Sequence, residues 1–514
     1  MTTDTHVTQP AAAPEILREE LPMQRFIGAG LSQAVVEGEV ALPGGLREET
    51  VVLSAQAMAA LSRSAAESGR VTADGRVTFH VLYTQGDPTK VSALEASAEF
   101  SHTADVPGAQ SGMSAPVSLM VEHVEATAQG GRLHLMAIVR VQCRVFSDEP
   151  LSIVTGVRGM EGLMLRTETL PVLRVTAQGM QEKLIRDECE LAGPLQITDT
   201  LYATAIATVH DVSGGEERAA ISGQVDLEVT HTSAMPSRPV VITRHTIPFE
   251  ESVPLSGEAG DALCCGVSVH DVAVLSQEGA DGERTLRAEV LLGLWAQCSR
   301  EREVCLLLDA YTTCGDQLSL TTQTLSRAVG HRQVRTAESG RLTLLMDGQP
   351  PVRTPLKAVL TPVITDLTRQ NGRLAVEGMM DATLLYMTDD DPAPRTFRTE
   401  EPFRMVFACD LSLPEALTLT PGNVDVSAVT SDRVEVKYIL HLDCRDVQLA
   451  SGGLVTQVAA QPAQDPPSGV MVCFARPGED LWGIAKRYRV SCEELRRMNP
   501  EMGEEPQRVI VYRG

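Results

Sequence analysis

Apolar and polar residues alternate with a period of two along most of the chain, in short runs punctuated by Gly, Pro and Asp. That is the pattern of half-buried strands joined by tight turns. Three of the runs line up: Gly75 to Tyr83 (GRVTFHVLY), Gly223 to His231 (GQVDLEVTH) and Gly378 to Tyr386 (GMMDATLLY). A phenylalanine follows each glycine at a nearly constant offset of 25, 26 and 25 residues, as Phe100, Phe249 and Phe403. A second long alternating run closes each unit near a cysteine, from Leu133 to Cys143, Leu286 to Cys298 and Val434 to Cys444. The units recur at roughly 150 residues, which is a domain length rather than a solenoid period. Turn signals such as Gly130-Gly131, Asp281-Gly282 and Asn371-Gly372 separate the strands, and helical spacing is scarce apart from a candidate helix near Ala55 to Ala66. The fold class expected is mostly β, with three tandem β-sandwich-like domains over residues 22–160, 161–320 and 321–457.

The ends of the chain read differently. Residues 1–21 have the composition of a disordered tail, with a helical turn expected at Glu15 to Glu20. Residues 458–469 are rich in Pro, Ala and Gln, an extended linker expected to leave the C-terminal segment some freedom of orientation. Beyond it, residues 470–514 predict strand, helix, helix, strand. Val470, Val472 and Phe474 alternate; Pro477 and Gly478 turn the chain; Asp480 stands at a helix N-cap; and Leu481, Ile484, Ala485 and Tyr488 follow at helical spacing. Ser491 and Glu494 form a capping box for a second helix holding Leu495 and Met498. Asn499-Pro500 stops that helix, and Val509 to Tyr512 supply a closing strand.

Composition narrows the function classes. The chain has 514 residues, 44 basic against 68 acidic, for a net charge of −24. This balance argues against nucleic acid and against adhesion to anionic membranes. The last 45 residues carry eight basic and seven acidic side chains, so an acidic body ends in an arginine-rich module. Eleven cysteines without framework spacing read as reduced thiols. Met1 to Pro14 has no signal-peptide pattern, and no apolar run is long enough to span a membrane.

Candidate chemistry is sparse. Cys264, Cys265, Cys298, Cys305 and Cys314 lack the paired spacing of a zinc site, so they read as free thiols. His123 and His270 occupy similar repeat positions and read as structural or exposed. Asp389 to Asp391 before Pro392 lacks the ligand spacing of a calcium loop and reads as a hairpin turn. No phosphate-cradling loop, zinc-protease motif or nucleophile elbow is present in the sequence. The expectation is a protein that is not an enzyme, with no cofactor and no metal.

The residues Pro477, Gly478, Glu479, Asp480, Leu481, Trp482, Ile484, Ala485, Tyr488, Val490, Leu495, Asn499 and Pro500 resemble those of the LysM module. LysM domains bind N-acetylglucosamine-containing glycans, and the resemblance implies a groove lined by Gly478, Glu479, Asp480, Leu481, Met498, Asn499, Pro500 and Glu501. Glu479 and Asp480 depart from the usual Asp and Thr or Ser, making the rim more acidic. The first unit, through Val36 to Pro43, Gly75 to Tyr83, Glu99-Phe100 and Val106 to Met113, is similar to the SPOCS domain of clostridial spore-coat morphogenetic proteins. Three such units followed by LysM match the SipL-type architecture. That resemblance implies a scaffold in the mother-cell cytoplasm at the outer forespore surface, whose LysM end binds a coat-basement ATPase of the SpoIVA type. Trp482, Arg487, Arg489, Arg496 and Arg497 are the residues expected to make that contact. The alternative is a protein whose LysM holds peptidoglycan or cortex glycan.

Overall fold

The computed structural model describes residues 14–42, 50–129, 132–191, 195–215, 217–258, 260–278, 284–411, 416–462, 468–500 and 508–513. The first unit comprises β1 (Glu15–Leu21), β2 (Arg25–Val40), β3 (Thr50–Glu67), β4 (Arg70–Gln85), β5 (Asp87–Asp105), β6 (Val117–Gln129), β7 (Arg132–Ser147) and β8 (Leu151–Arg158). The second holds β9 (Leu163–Glu190), β10 (Ile197–Gly214), β11 (Arg218–Ser233), β12 (Val240–Pro254), β13 (Ser256–Gly257), β14 (Ala262–Glu278) and β15 (Arg284–Thr312). The third holds β16 (Gln317–Leu345), β17 (Thr354–Gln370), β18 (Arg373–Met387), β19 (Arg395–Phe407), β20 (Ala416–Thr430) and β21 (Arg433–Gln461). The chain closes with β22 (Gly469–Phe474), α1 (Leu481–Tyr488), α2 (Cys492–Met498) and β23 (Arg508–Arg513).

The same strand order recurs in all three units, apart from the short β13, which pairs with β9 in the second unit only. One sheet of each unit is a three-stranded meander, β3-β4-β5, β10-β11-β12 or β17-β18-β19. The other has the orders β6-β7-β2, β14-β15-β9 and β20-β21-β16, and those of the first and third units join through β2 and β16 into six strands. The two sheets of each unit pack face to face over a core of alternating residues, such as Val77, Phe79, Val81, Leu135, Ala137 and Val139 in the first. The recurring cysteines, Cys143, Cys298 and Cys444, lie buried on the middle strand.

Register explains the glycine–phenylalanine echo. Gly75 pairs with Phe100, Gly223 with Phe249 and Gly378 with Phe403. On its other side each glycine abuts a β-bulge, after Leu61, Val209 and Ile364. A Cβ on Gly75 would lie 2.6 Å from the Ala60 carbonyl oxygen and 2.8 Å from the Phe100 ring, and one on Gly378 would overlap the Val363 carbonyl and lie 2.9 Å from the Phe403 ring. Each bulge needs a neighbour without a side chain, and the aromatic ring covers the gap.

Two expectations are corrected. Ala55 to Ala66 is strand, not helix: Ala55, Ala57, Ala59 and Leu61 alternate onto the first core, and β4 pairs along the whole segment. Glu15 to Leu21 is a strand paired with β8 rather than a tail with a helical turn. The Asn371-Gly372 turn is a hairpin with both residues at positive φ, as its type I′ geometry requires. Asp391 closes the β18–β19 turn by accepting from the Ala393 amide at 2.9 Å. Gly130-Gly131, Asp281-Gly282 and residues 463–467 of the expected linker lie outside the described residues, whereas 458–461 belong to β21.

The three units are not beads on a string. Each is entered and left by a two-stranded ribbon: β1 with β8, the start of β9 with the end of β15, and the start of β16 with the end of β21. Where the long strands leave their sheets they are bulged, near Ile27, Thr176 and Val329. All three ribbons feed two shared clusters, one around Leu21, Ile153, Val172, Leu306 and Leu454, the other around Val154, Leu307, Ala310, Leu318 and Val455. Gln24 knots the units together. Its amide donates to Leu173 and its carbonyl accepts from Ala328, both at 2.8 Å, and His331 bonds its side-chain oxygen at 2.9 Å. The three meanders meet at a second junction, where Leu53, Leu82, Tyr202, Val240, Leu356 and Leu385 pack together. Lys357 is buried there, bonded to Tyr202 and Thr230 at 3.1 and 2.9 Å and paired with Glu228 at 3.2 Å. Burial pushes its pKa down, but Tyr202 and Glu228 more than offset this and leave it raised.

Gly378→Ala is expected to lower stability by about 1–3 kcal/mol in chemical denaturation, the usual cost of overpacking. Gly38→Ala, whose Cβ meets only Ala98 at 3.8 Å, should lose far less. The buried histidines set a pH dependence. Burial and neighbouring His245 depress His231 to about 4, and burial with nearby Arg144 does the same to His331. Both are neutral when folded and protonate more readily when unfolded. Stability should therefore be full above about 6.5, the unfolded histidine value, and fall as pH drops through about 4. His331→Gln should flatten the part of this decline due to His331 in thermal melts across that window.

Candidate functional site

The C-terminal module is built as its sequence pattern dictates. Asp480 caps α1, its Oδ1 accepting from the Gly483 amide at 2.9 Å, after a turn in which Gly478 takes a φ of 75°. Ser491 and Glu494 form the reciprocal capping box of α2. Asn499 then ends α2 and ties it to β23, donating to the Leu495 and Ile510 carbonyls at 2.8 and 2.7 Å and accepting from the Ile510 amide at 2.8 Å. Ile484, Ala485, Val490, Leu495, Val509 and Val511 form the small core.

That core contains a residue from outside the module. Tyr311, at the tip of the second ribbon, is fully buried among these side chains. Its hydroxyl donates to the Val490 carbonyl at 2.7 Å, and its ring meets Trp482 edge-on at 4.9 Å. Burial raises its pKa, so the phenol stays protonated. Around it, Asp309 accepts from Trp482 Nε1 at 2.7 Å and pairs with Lys486 at 2.5 Å. Arg489, buried and in the left-handed conformation at the end of α1, donates to the Thr312 and Gly315 carbonyls at 3.0 and 2.5 Å. Arg166 pairs with Asp480 at 2.8 Å, and Arg513 donates to the Thr313 carbonyl at 3.3 Å. The module is thus seated on the ribbon, and the orientational freedom expected from the linker is not what the structure shows.

This seating sorts the residues singled out from sequence. Trp482 and Arg489, expected to face a partner, face the body of this chain instead: Asp309 accepts from Trp482, and the Thr312 and Gly315 carbonyls accept from Arg489. Arg487 is folded back, pairing with Glu479 at 3.2 Å and donating to the Phe474 carbonyl at 3.2 Å. Arg496 and Arg497 stand exposed on α2, favourably placed at its C-terminus. Of the groove residues, Gly478, Glu479, Asp480 and Leu481 lie on the turn into α1, while Met498, Asn499 and Pro500 end α2; Glu501 lies outside the described residues. Glu479 accepts from the Arg476 amide at 2.9 Å, so with Asp480 and Asn499 much of the groove's polar capacity is used inside the protein. Sequence reasoning missed Asp309, Tyr311, Thr312 and Arg166.

A second surface emerges from the pairing of β22 with β23. Val470 opposes Tyr512 and Val472 opposes Ile510. With Phe474 they form one outward face, exposed by 69% at Val470, 56% at Val472, 70% at Phe474 and 49% at Tyr512. Cys473, Val509 and Val511 turn inward. A cluster of apolar side chains left in water marks an interaction surface more often than chance exposure does.

Among the described residues no group of His, Cys, Asp and Glu is arranged to hold a metal, and no helix is long and apolar enough to cross a membrane. The cysteines of the second unit are all free thiols, Cys265 and Cys298 buried. His270 pairs with Glu182 at 3.0 Å and bonds Ser268 at 3.0 Å, and His123 lies 3.9 Å from Asp381.

The chain is built as three repeated β units carrying a small terminal module. Residues 50–129 match the family model described as SipL, SPOCS domain, and residues 475–504 match the LysM domain. These two matches, in that order along the chain, are those of a SipL-type protein with a C-terminal LysM domain. The SipL family is associated with sporulation, and both matched families are binding domains rather than catalytic ones. No curated protein and no solved structure matches the chain significantly.

Asp309→Ala removes the acceptor of both Trp482 and Lys486. The expected outcome is a red shift of tryptophan emission and greater quenching by iodide. Trp295, the other tryptophan, is held under Arg445 4.6 Å away and provides a constant background.

Proposed function

We propose that this protein is a non-enzymatic scaffold of spore-envelope assembly, which docks through its LysM module to a coat-basement ATPase of the SpoIVA type at the forespore surface, in the mother-cell cytoplasm. The observation that carries the docking mode is the outward face of β22 and β23. Five large apolar side chains, Val470, Val472, Phe474, Ile510 and Tyr512, lie exposed there on one two-stranded sheet. Burying such a patch against a partner is favourable by about 25 cal/mol per Å² of apolar area. Arg508 flanks the patch on β23, with Arg496 and Arg497 on the neighbouring α2, and these suit an acidic rim on the partner. The match to SPOCS and LysM families and the absence of a catalytic motif from the sequence support a binding role.

The second reading is peptidoglycan or cortex glycan held in the groove of Gly478, Glu479, Asp480, Leu481, Met498, Asn499 and Pro500, with Glu501 beside it. The LysM match favours it. The internal bonds of Glu479, Asp480 and Asn499 weigh against it, since a sugar would have to compete with existing partners.

The test is a pull-down with the full chain offered in parallel to the purified ATPase and to purified sacculi. The module is not tested alone, because Tyr311 belongs to its core. Phe474→Asp and Val472→Asp change exposed residues, so folding should survive. Each is expected to weaken capture of the ATPase by roughly tenfold or more, about 1.4 kcal/mol. Capture of sacculi alone by the unmodified chain would overturn the docking reading in favour of the glycan one.

A further inference from the structure

A cleft of about 690 Å³ opens between the second and third ribbons, with the C-terminal module at its rim. Its walls come from Arg166 and Glu168 on β9, Leu320 and Thr322 on β16, and Gly452 on β21, and Lys486 of α1 closes one side. Arg327 lines it from below. That side chain is 3% exposed, yet among the described residues no carboxylate lies within ion-pairing distance of it. Its Nε donates to the Pro171 carbonyl at 3.2 Å, while its Nη1 is buried without a hydrogen-bond partner. Burial pushes its pKa down, opposed by the more distant charge of Glu168. A guanidinium keeps its charge in any protein environment, and a buried charge without a counter-ion is costly. The other cations at the cleft are already engaged, Arg166 with Asp480 and Lys486 with Asp309. Opposite Nη1 stands Gly452, where even a single Cβ would come within 3.7 Å of that nitrogen. The side of the cleft nearest the unpaired donor is therefore lined by bare backbone.

We propose that this cleft is a binding site for a small oxyanion-bearing ligand, a carboxylate or a phosphate, anchored by Arg327. Guanidinium matches the planar or tetrahedral oxygens of such groups and forms strong charge-assisted bonds with them. The volume suits a ligand larger than a bare ion. A chain with a net charge of −24 repels anions at long range, so saturable uptake of one would report a local site rather than general attraction. Because the cleft lies between the ribbons and the module, its occupant would bridge the two and reinforce the seating described above. This inference does not depend on which partner the module docks to.

The experiment is calorimetric titration and thermal unfolding of the full chain with inorganic phosphate and with citrate, against chloride at equal ionic strength. Saturable binding and stabilisation beyond chloride are expected with at least one of the two; a response to citrate only would indicate a carboxylate ligand and to phosphate only a phosphate ligand. Arg327→Met fills the same space without the charge and should fold as well as the parent or better, while weakening binding by roughly tenfold or more. Gly452→Glu places a tethered carboxylate beside Nη1. It should raise the melting temperature without added anion and block both probes. No response beyond chloride in the parent chain would overturn the proposal, as would parent-like binding in Arg327→Met. If Arg327→Met does not fold, unchanged binding in Gly452→Glu would overturn it equally.

Discussion

A two-stranded ribbon cannot shield its own faces from water, and this chain has three of them. Their only way to bury Leu21, Ile153, Leu306, Leu318 and Val455 is against one another, which fixes how the three repeated units sit. Once the ribbons are bundled, the six-stranded sheet through β2 and β16 is set, and so is the meeting of the three meanders around Leu82, Tyr202 and Leu385. Gln24 sits where the constraint is tightest, its backbone and side chain shared among all three units. The repeat is thus not three copies of an independent domain but three sandwiches sharing their ends.

The second ribbon reaches furthest into function, because its tip is Tyr311. A domain of about 45 residues buries little apolar surface by itself, and here the body lends it an aromatic ring and carbonyls that accept from Arg489 and Arg513. The consequence is directional. One side of the module, with Trp482, Lys486 and Arg489, belongs to the body, and the opposite surfaces are left to others: the apolar face of β22 and β23 and the exposed end of α2. The proposed scaffold role would need a docking surface held at a defined angle to the body, and this seating would hold it so.

What was legible in the sequence was local. The strand alternation, the glycine–phenylalanine offsets and the caps of the two short helices all depend on neighbours in one hairpin or one turn, and the sequence carries those directly. The errors came where distant contacts decide. Residues 55–66 are rich in alanine, which favours a helix in isolation, but pairing with β4 and burial of every second residue override that preference. Residues 15–21 look polar and tail-like, and become a strand only because β8 pairs with them and Ile16 and Leu21 find apolar neighbours on the other ribbons. Trp482 and Arg489 have the chemistry of interface residues, as expected, but the interface lies within the chain. The sequence held one hint of this: the alternation of β15 runs on well past Cys298, through Val304, Leu306 and Ala310 to Tyr311, further than a three-stranded sheet requires.

In this structure the LysM module is a seated part of the body rather than a tethered ball. Time-resolved fluorescence anisotropy of the full chain carrying Trp295→Phe, which leaves Trp482 as the sole reporter, tests it most directly. A seated module gives a decay dominated by the slow tumbling of the whole protein. A large fast component, with the correlation time of a module of about 45 residues, would contradict it.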